Sequence, residues 1–223
     1  MELDGEIYIS QEYKRKDYIR LGLTYSSDQA TWGRAIDMFE DRIKGRYLHS
    51  IIELNRNDYM HGFSIMAINC LLVDTLGHFV QGKPKTNSMD YVEFLLHIFD
   101  QKFSLGEPGD CYDAEYEPRQ TRLYQADRSK WDAYWATMFY KDIRCSILHA
   151  AQTQMGSRLT VAQDTVITKT EAGKLSVDVS KFTSVLIGYY HNYINDLREG
   201  GNEELRRRFL KQMNFVCYKD GNG

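Results

Sequence analysis

Apolar residues recur every three or four positions over most of this chain, which predicts a mainly α-helical protein. The segment 60–80 is apolar over most of its surface, so this helix belongs in a core. Serine is a common N-terminal cap and glycine a common C-terminal one, which suggests Ser88, Ser129 and Ser180 as helix starts and Gly200 as a stop. The predicted helices cover about 31–54, 60–80, 88–99, 129–149 and 180–200. They indicate an up-and-down helical bundle.

The periodicity changes after Ala151. Short β-branched segments between residues 157 and 179, with a turn near 171–174, predict a small sheet built around a β-hairpin before the C-terminal helices. Residues 1–30 lack a sustained period and predict a loose N-terminal arm. Residues 201–223 predict a short basic helix and a tail. The bundle is therefore expected over residues 31–200.

A long segment, 104–128, separates the third and fourth predicted helices. It contains glycine, proline and a string of acidic residues whose spacing does not fit a calcium loop. Connections of this length are usually functional or disordered. A solvated loop is the favoured interpretation, and a functional segment is the alternative.

Composition indicates the class of protein and the cellular compartment. The 223 residues are 43% hydrophobic and 26% charged, typical of a globular protein. No apolar run near 20 residues is evident and the first 20 residues are charged throughout, so we expect neither a membrane span nor a secretory signal. The four cysteines form no C-x-x-C pair, which favours a reducing, cytoplasmic setting without disulfides or zinc.

No cofactor or metal is predicted, because the histidines have no cysteine or carboxylate partner at ligand spacing. The formal net charge of −3 means that nucleic acid would have to be met by a local basic site. Arg206, Arg207 and Arg208 form one basic run. A solvated helix face is the favoured interpretation of this run, and an RNA groove is the alternative.

The most informative motif is Arg144 and His149 near the end of the fourth predicted helix. Arginine is a permanent cation that suits phosphate oxygens, and histidine titrates near neutral pH, at roughly 6.5. Metal-free cleavage of RNA needs both a proton carrier and a charge stabiliser. On an α-helix the two side chains are separated by roughly 140° and about 7.5 Å. They converge only if the helix ends or bends near Ala150, or if a second chain supplies a facing pair.

Placed on the last long helix of a helical bundle, this motif resembles that of the HEPN superfamily, which is defined by Arg, four to six residues, then His. The neighbourhood Phe139-Tyr-Lys-Asp-Ile-Arg-Cys-Ser-Ile-Leu-His supports the resemblance. It implies a homodimer in which two motifs meet in one cleft, with His149 as general acid or base and Arg144 holding the scissile phosphate. The chain departs from the family pattern at Cys145, where active members often have a polar residue. It departs again at Ala151, where some members have tyrosine.

Two residues are candidates for supporting roles. Asp142 either orients Arg144 through a carboxylate contact or is a helix-surface charge. Gln152 is the polar residue nearest to the position where some family members have tyrosine. Cys145 is either a thiol of lowered pKa beside Arg144 or a buried small side chain, and the second interpretation is favoured.

Two functions follow from these observations. The first is a metal-independent endoribonuclease of the toxin or phage-defence kind, which cleaves RNA through attack by the 2′-hydroxyl. Its partners would be RNA, a second copy of the chain and an antitoxin or other defence protein. The second is a non-catalytic HEPN-like module that dimerises and binds a nucleotide, RNA or a partner protein.

Overall fold

The computed structural model describes residues 2–3, 6–56, 61–117, 130–154 and 156–218. Over these residues the chain is mainly helical, as predicted. The α-helices are α1 (Arg15–Leu21), α2 (Gln29–Ile43), α3 (His49–Asn55), α4 (Gly62–Gln81), α5 (Ser88–Phe99), α6 (Lys130–Met138), α7 (Ser146–Ala150), α8 (Val179–Glu199) and α9 (Glu203–Tyr218). A π-helical turn (Lys44–Leu48) joins α2 to α3, and a π-helical segment (Phe139–Cys145) joins α6 to α7.

The predicted small sheet is present between α7 and α8. It consists of β3 (Arg158–Thr160), β4 (Ile167–Lys169) and β5 (Leu175–Asp178), with β5 in the centre. The predicted hairpin is the antiparallel pair β4 and β5, and β3 adds a parallel strand on the other edge of β5. Two further strands, β1 (Glu2–Leu3) and β2 (Glu6–Ile7), form an antiparallel pair at the N-terminus.

Two of the predicted helix caps are wrong by one or two residues. The cap of α5 is Asn87 rather than Ser88, because the Asn87 Oδ1 atom accepts hydrogen bonds from two amides of the first turn at 2.9 and 3.0 Å. The cap of α8 is Asp178 rather than Ser180, since its Oδ1 accepts from the Lys181 amide at 2.9 Å. The predicted cap Ser129 lies outside the described residues, and so does part of the predicted break at residues 55–58.

One compact unit comprises residues 1–53, 75–85 and 190–223. Its core is a cluster of buried aromatic rings in which Phe39 lies 4.3 Å from Phe79 and 5.5 Å from Phe209, measured between ring centroids. Trp32 packs on Phe209 at 6.1 Å. Each such buried side chain contributes about 1.5–3 kcal/mol of transfer free energy.

The second compact unit comprises residues 54–74 and 86–189, and it contains the Arg144 and His149 motif. Phe182 of α8 stacks between Phe99 of α5 and Phe139, with centroid distances of 4.2 and 5.2 Å. All three rings are buried. The first residue of the π-helical segment is therefore fixed in the core of this unit.

The prediction of a loose arm over residues 1–30 is wrong for residues 15–21, which form α1. Tyr18 is fully buried, and its hydroxyl donates to Asn214 Oδ1 of α9 at 2.9 Å. The predicted boundaries at residues 30 and 200 do not coincide with the division between the two compact units.

The C-terminal helix is longer than the short helix predicted. It has 16 residues, and Phe209, Met213 and Cys217 are buried at a spacing of four, which extends its apolar face to the end. Residues 219–223 of the predicted tail lie outside the described part of the chain.

The basic run at the start of α9 is only partly the solvated face that was predicted. Arg206 donates to the Leu197 carbonyl at 3.0 and 3.1 Å and stacks on Trp32, and Arg208 donates to the Val80 carbonyl at 3.2 Å. Arg207 has the more exposed side chain, at 61%. Two of the three arginines therefore donate hydrogen bonds to main-chain carbonyls and are not simply solvated.

The segment 104–128 is described as far as residue 117. It contains 3₁₀ turns at Gly109–Cys111 and Ala114–Tyr116. Tyr116 is 5% exposed, so the interpretation as a solvated loop is wrong at this residue. Residues 118–128 lie outside the described residues.

Helix α4 is long and apolar enough to cross a membrane by length and composition, with a mean hydropathy of 1.6 over its most apolar stretch. The expectation that the chain has no apolar segment of about 20 residues is therefore wrong by length and composition. Half of that stretch is buried within the protein, as in the core helix of a soluble protein. Helix α4 is therefore no clear membrane span.

Candidate functional site

Arg144 lies in the π-helical segment, where its side chain is 20% exposed. One terminal nitrogen, Nη2, lies 3.5 Å from Oδ2 of Asp74 in α4. The guanidinium carbon lies 5.4 Å from the ring centroid of Tyr140 and 5.8 Å from that of Tyr91, both within cation–π range. A carboxylate and two aromatic rings thus hold the guanidinium, and part of it stays accessible.

The surroundings of Arg144 keep its charge fixed. Burial alone lowers the pKa of Arg144, but the contact with the Cys145 sulfur and the electrostatic effects of Tyr140 and Asp74 outweigh it, so the pKa is raised. The Nη1 atom lies 3.9 Å from Cys145 Sγ. The Nε atom is buried and finds no hydrogen-bond partner among the residues that the structure describes. The arginine can therefore act as a permanent cation with unused donor capacity.

Asp74 is the residue that the sequence analysis missed. Its Oδ1 atom accepts a hydrogen bond from the Thr86 hydroxyl at 3.3 Å, which leaves Oδ2 directed to Arg144. A signal for it was present in the sequence, because Asp74 is the single carboxylate in the mostly apolar sequence of α4. Its contact with Arg144 spans 70 positions of sequence, which no spacing rule covers.

Two buried groups lie behind Arg144 and face away from solvent. Burial raises the pKa of the Cys70 thiol to about 12, and it raises the pKa of Tyr91 well above its ordinary value. Both groups stay protonated at neutral pH. Cys145, expected to be buried, is half-buried.

His149 lies in the last turn of the helix and is exposed. Helix α7 ends at Ala150, and Ala151 adopts a left-handed conformation with φ 55° and donates to the Ile147 carbonyl at 3.0 Å. Among the described residues, no hydrogen bond or ring contact joins His149 to Arg144. The helix ends at Ala150, which was one of the conditions under which Arg144 and His149 were expected to converge. Within one chain the two side chains are nevertheless not in contact.

Asp142 neither orients Arg144 nor lies on the helix surface, so both interpretations of this residue are wrong. It is 1% exposed and accepts hydrogen bonds from the Tyr116 and Ser157 hydroxyls, each at 2.9 Å. Its main-chain carbonyl accepts from the Gln154 amide at 3.0 Å. Burial raises the pKa of Asp142, although both hydroxyls act in the opposite direction. This carboxylate holds the chain segments on either side of the helix.

Gln152, the second supporting candidate, is exposed and follows the end of α7. It lies on the same stretch of chain as His149, three positions further on. Among the described residues, no hydrogen bond joins the Gln152 side chain to Arg144. Gln152 therefore shares the exposed end of the helix with His149.

The described part of the chain contains no group of three or more His, Cys, Asp and Glu side chains that could hold a metal ion. The histidines of the two apolar helices have other contacts. His78 Nδ1 lies 2.6 Å from the Lys83 carbonyl, and His97 packs against Phe94 and Tyr189. The chemistry available around Arg144 is that of its side chain, a carboxylate, aromatic rings and thiols.

Comparison of the chain with protein-family models, with curated proteins and with solved structures gives no significant match.

Proposed function

We propose that this protein is a metal-independent endoribonuclease of the toxin or phage-defence type that acts in the cytoplasm. The observation that carries this proposal is the contrast between its two motif residues. Arg144 is anchored by Asp74 and two tyrosine rings, and His149 is exposed at the end of the same helix. A fixed cation and an accessible proton carrier are what cleavage of RNA requires.

The proposed reaction uses a nucleophile that belongs to the substrate. His149 takes the proton of the 2′-hydroxyl, and the 2′-oxygen attacks the adjacent phosphorus. The bond from phosphorus to the 5′-oxygen breaks, and that oxygen takes the proton that His149 removed from the 2′-hydroxyl, which returns His149 to its neutral form. Arg144 stabilises the negative charge on the non-bridging oxygens. The products carry a 2′,3′-cyclic phosphate and a 5′-hydroxyl.

A second copy of the chain completes the proposed site. Arg144 and His149 do not touch within one chain, and the helix ends immediately after His149. In a two-fold dimer the exposed His149 of one copy lies opposite the Arg144 of the other. The resemblance to the HEPN superfamily supports this arrangement, and symmetric dimers are the commonest homo-oligomers.

The ion pair with Asp74 supports the alternative, a non-catalytic module. A carboxylate at 3.5 Å already offsets part of the charge of Arg144. In this case the accessible part of the guanidinium binds a nucleotide, an RNA phosphate or a partner protein such as an antitoxin. Substitution of Arg144 then changes affinity without any effect on cleavage.

The experiment compares RNA cleavage by the wild type, Arg144→Ala and His149→Ala. We expect each substitution to lower the rate by at least about 100-fold, the scale for losing an acid–base group or a charge stabiliser. His191→Ala, at another exposed histidine, is the control and should keep full activity. A 2′-deoxy substitution at the cut site should block cleavage, and EDTA should leave it unchanged.

Equal cleavage by folded wild type and His149→Ala would rule out the catalytic role. Loss of activity in EDTA with recovery in magnesium would contradict the metal-free mechanism. Absence of cleavage by the wild type, together with weaker RNA or partner binding by Arg144→Ala, would establish the binding module instead.

A further inference from the structure

Two arginines of the other compact unit reach the same main-chain oxygen. Arg42 is in the last turn of α2, and Arg46 lies four residues later in the π-helical turn. Arg42 Nη1 donates to the Ile9 carbonyl at 2.6 Å, and Arg46 Nη2 donates to the same oxygen at 3.2 Å. The two guanidinium groups therefore share a single acceptor.

The N-terminal loop is seated closely on this part of the helix. The Glu12 amide donates to Asp41 Oδ2 at 2.9 Å. Gly45 lets the loop approach, because a Cβ atom at this position would lie only 2.5 Å from Cγ of Gln11. The position of the Ile9 carbonyl above the two arginines thus follows from side-chain and backbone contacts on both sides of it.

The positive charge of this pair is not balanced. Neither Arg42 nor Arg46 forms an ion pair with any carboxylate in the described residues. The Nε atom of Arg42 is buried and has no hydrogen-bond partner in the described part of the chain. Burial lowers the pKa of Arg42 to about 10, and the nearby charge of Arg46 acts in the same direction. Buried charges in proteins are normally paired, since an unpaired one loses its hydration without compensation.

We propose that Arg42 and Arg46 form a binding site for a phosphate group. A guanidinium presents two parallel N–H donors that match the oxygens of phosphate. Two arginines match the charge of a phosphate monoester, which is about −1.5 to −2 at neutral pH, whereas a carboxylate would neutralise only one of them. Arg46 is exposed and gives the ligand access, and Arg42 supplies the desolvated charge behind it.

This site goes beyond the proposed function. Arg42 and Arg46 belong to the unit formed by residues 1–53, 75–85 and 190–223, and Arg144 and His149 belong to the other. The phosphate monoester belongs either to a small ligand, such as a nucleotide, or to the end of an RNA chain. The proposal stands whether or not the protein cleaves RNA.

The test is titration of the full-length protein with inorganic phosphate by calorimetry, at constant ionic strength maintained with sodium chloride. We expect saturable binding by the wild type and binding at least about tenfold weaker by Arg46→Gln, because a charge-assisted hydrogen bond contributes at least that factor. Arg34→Gln is the matched control, an exposed arginine of the same helix, and should bind within about twofold of the wild type. Circular dichroism checks that each variant is folded.

Arg46→Lys provides a second variant that keeps the charge and removes the planar fork. Its affinity should lie between those of the wild type and Arg46→Gln. A mononucleotide and a single-stranded RNA that ends in a 5′-phosphate and is 2′-O-methylated, so that it cannot be cleaved, are each titrated into the wild type and Arg46→Gln to identify the source of the phosphate. Dependence on Arg46 for the mononucleotide alone indicates a small ligand, and dependence for both indicates an RNA chain. Equal phosphate binding by the wild type and Arg46→Gln, or no saturable binding by the wild type, would overturn the proposal.

Discussion

At the scale of single residues, two carboxylates of the unit that contains Arg144 have different environments and different roles. Asp74 is half-buried, binds the Thr86 hydroxyl and Arg144, and keeps part of its surface in contact with solvent. Asp142 is enclosed and bound by two hydroxyl groups. Asp142, two positions before Arg144 in the sequence, therefore supports the fold, and the distant Asp74 supports the candidate site.

The raised pKa of Asp142 predicts a pH dependence of stability. The folded protein holds the Asp142 proton to higher pH than the unfolded chain, whose carboxyl titrates near 3.8. The free energy of unfolding should therefore fall as pH rises above 3.8 through the raised pKa, and the loss should be complete above it. In Asp142→Asn this contribution is absent. Urea unfolding of both proteins from pH 3 upwards should show their difference in stability changing across this window.

Two further variants define the origin of this effect. Asp142→Ala should destabilise by about 1–3 kcal/mol at pH 3, because it leaves the Tyr116 and Ser157 hydroxyls without their acceptor, and this difference should shrink as pH rises through the raised pKa. Asp110→Asn, at an exposed carboxylate, should follow the wild-type profile. A constant difference between wild type and Asp142→Asn across the whole range would contradict the prediction.

The residues of the candidate site could be predicted only in part from the sequence. Arg144 and His149 stand out because their chemistry is distinctive and their spacing is short. Asp74 does not, because its partner is 70 positions away and only the folded chain brings them together. Asp142 was misassigned for the opposite reason. Closeness in sequence suggested a contact with Arg144, but the side chain lies among Tyr116 and Ser157.

At the scale of secondary-structure elements, the end of the motif helix carries conformational strain. Ala151 has φ 55°, in the left-handed region that alanine rarely adopts. This conformation ends the helix two residues after His149 and sends the chain towards the sheet. Glycine adopts it without the Cβ penalty.

Ala151→Gly should therefore stabilise the protein by about 0.5–1 kcal/mol, the gain from relieved strain exceeding the entropy that glycine adds to the unfolded chain. The neighbouring change Ala150→Gly is the matched control. It lies within α7 and should destabilise by about 0.5–1 kcal/mol. Thermal or urea unfolding measures both. The same sign for the two variants would show that Ala151 is not strained as described.

Helix positions were predictable from the apolar period, and details of their ends were not. Ser88 and Asn87 are both good caps one residue apart, so local preference could not choose between them. The π-helical segments could not be predicted either. The change in the backbone hydrogen-bond pattern leaves the apolar residues close to the positions that an α-helical period would give them. The sheet was predicted from β-branched residues, but the parallel pairing of β3 with β5 depends on contacts between distant segments.

At the scale of the whole molecule, a site shared between two copies of the chain predicts the activity of a mixture of two inactive variants. Arg144→Ala and His149→Ala should each be inactive as homodimers. After subunit exchange, about half of the dimers should contain one copy of each variant. Each of these retains one Arg144 and one His149 across the cleft. RNA cleavage should therefore reappear on mixing, and sedimentation should show particles of twice the 26.1 kDa chain mass.

Mixing the double variant Arg144→Ala/His149→Ala with either single variant is the control and should restore no activity. A chain that sediments as a monomer at micromolar concentration, or mixtures that stay inactive despite subunit exchange, would contradict the shared site.

The division of the chain could not be predicted from its sequence. Charges interrupt the apolar period over residues 1–30, which predicted an arm, but Arg15 and the buried Tyr18 both bind α9 and hold α1 against it. Segments from both ends of the chain join residues 75–85 in one compact unit. A prediction made along the chain follows neighbours in sequence and does not reveal such a unit.

The π-helical segment Phe139–Cys145 affects the direction in which Arg144 and His149 point. Each of its hydrogen bonds spans five residues where an α-helix spans four, so the segment holds more residues over the same number of turns. Removal of one residue between Phe139 and Arg144 would therefore return the segment to an α pattern and leave α7 nearly unrotated relative to α6. Arg144 would stay beside Asp74, and His149 would keep its direction. Removal of one residue from a regular α-helix would instead turn everything beyond it by about 100°. The π-helical segment thus lets the direction of the motif tolerate a change of one residue in length.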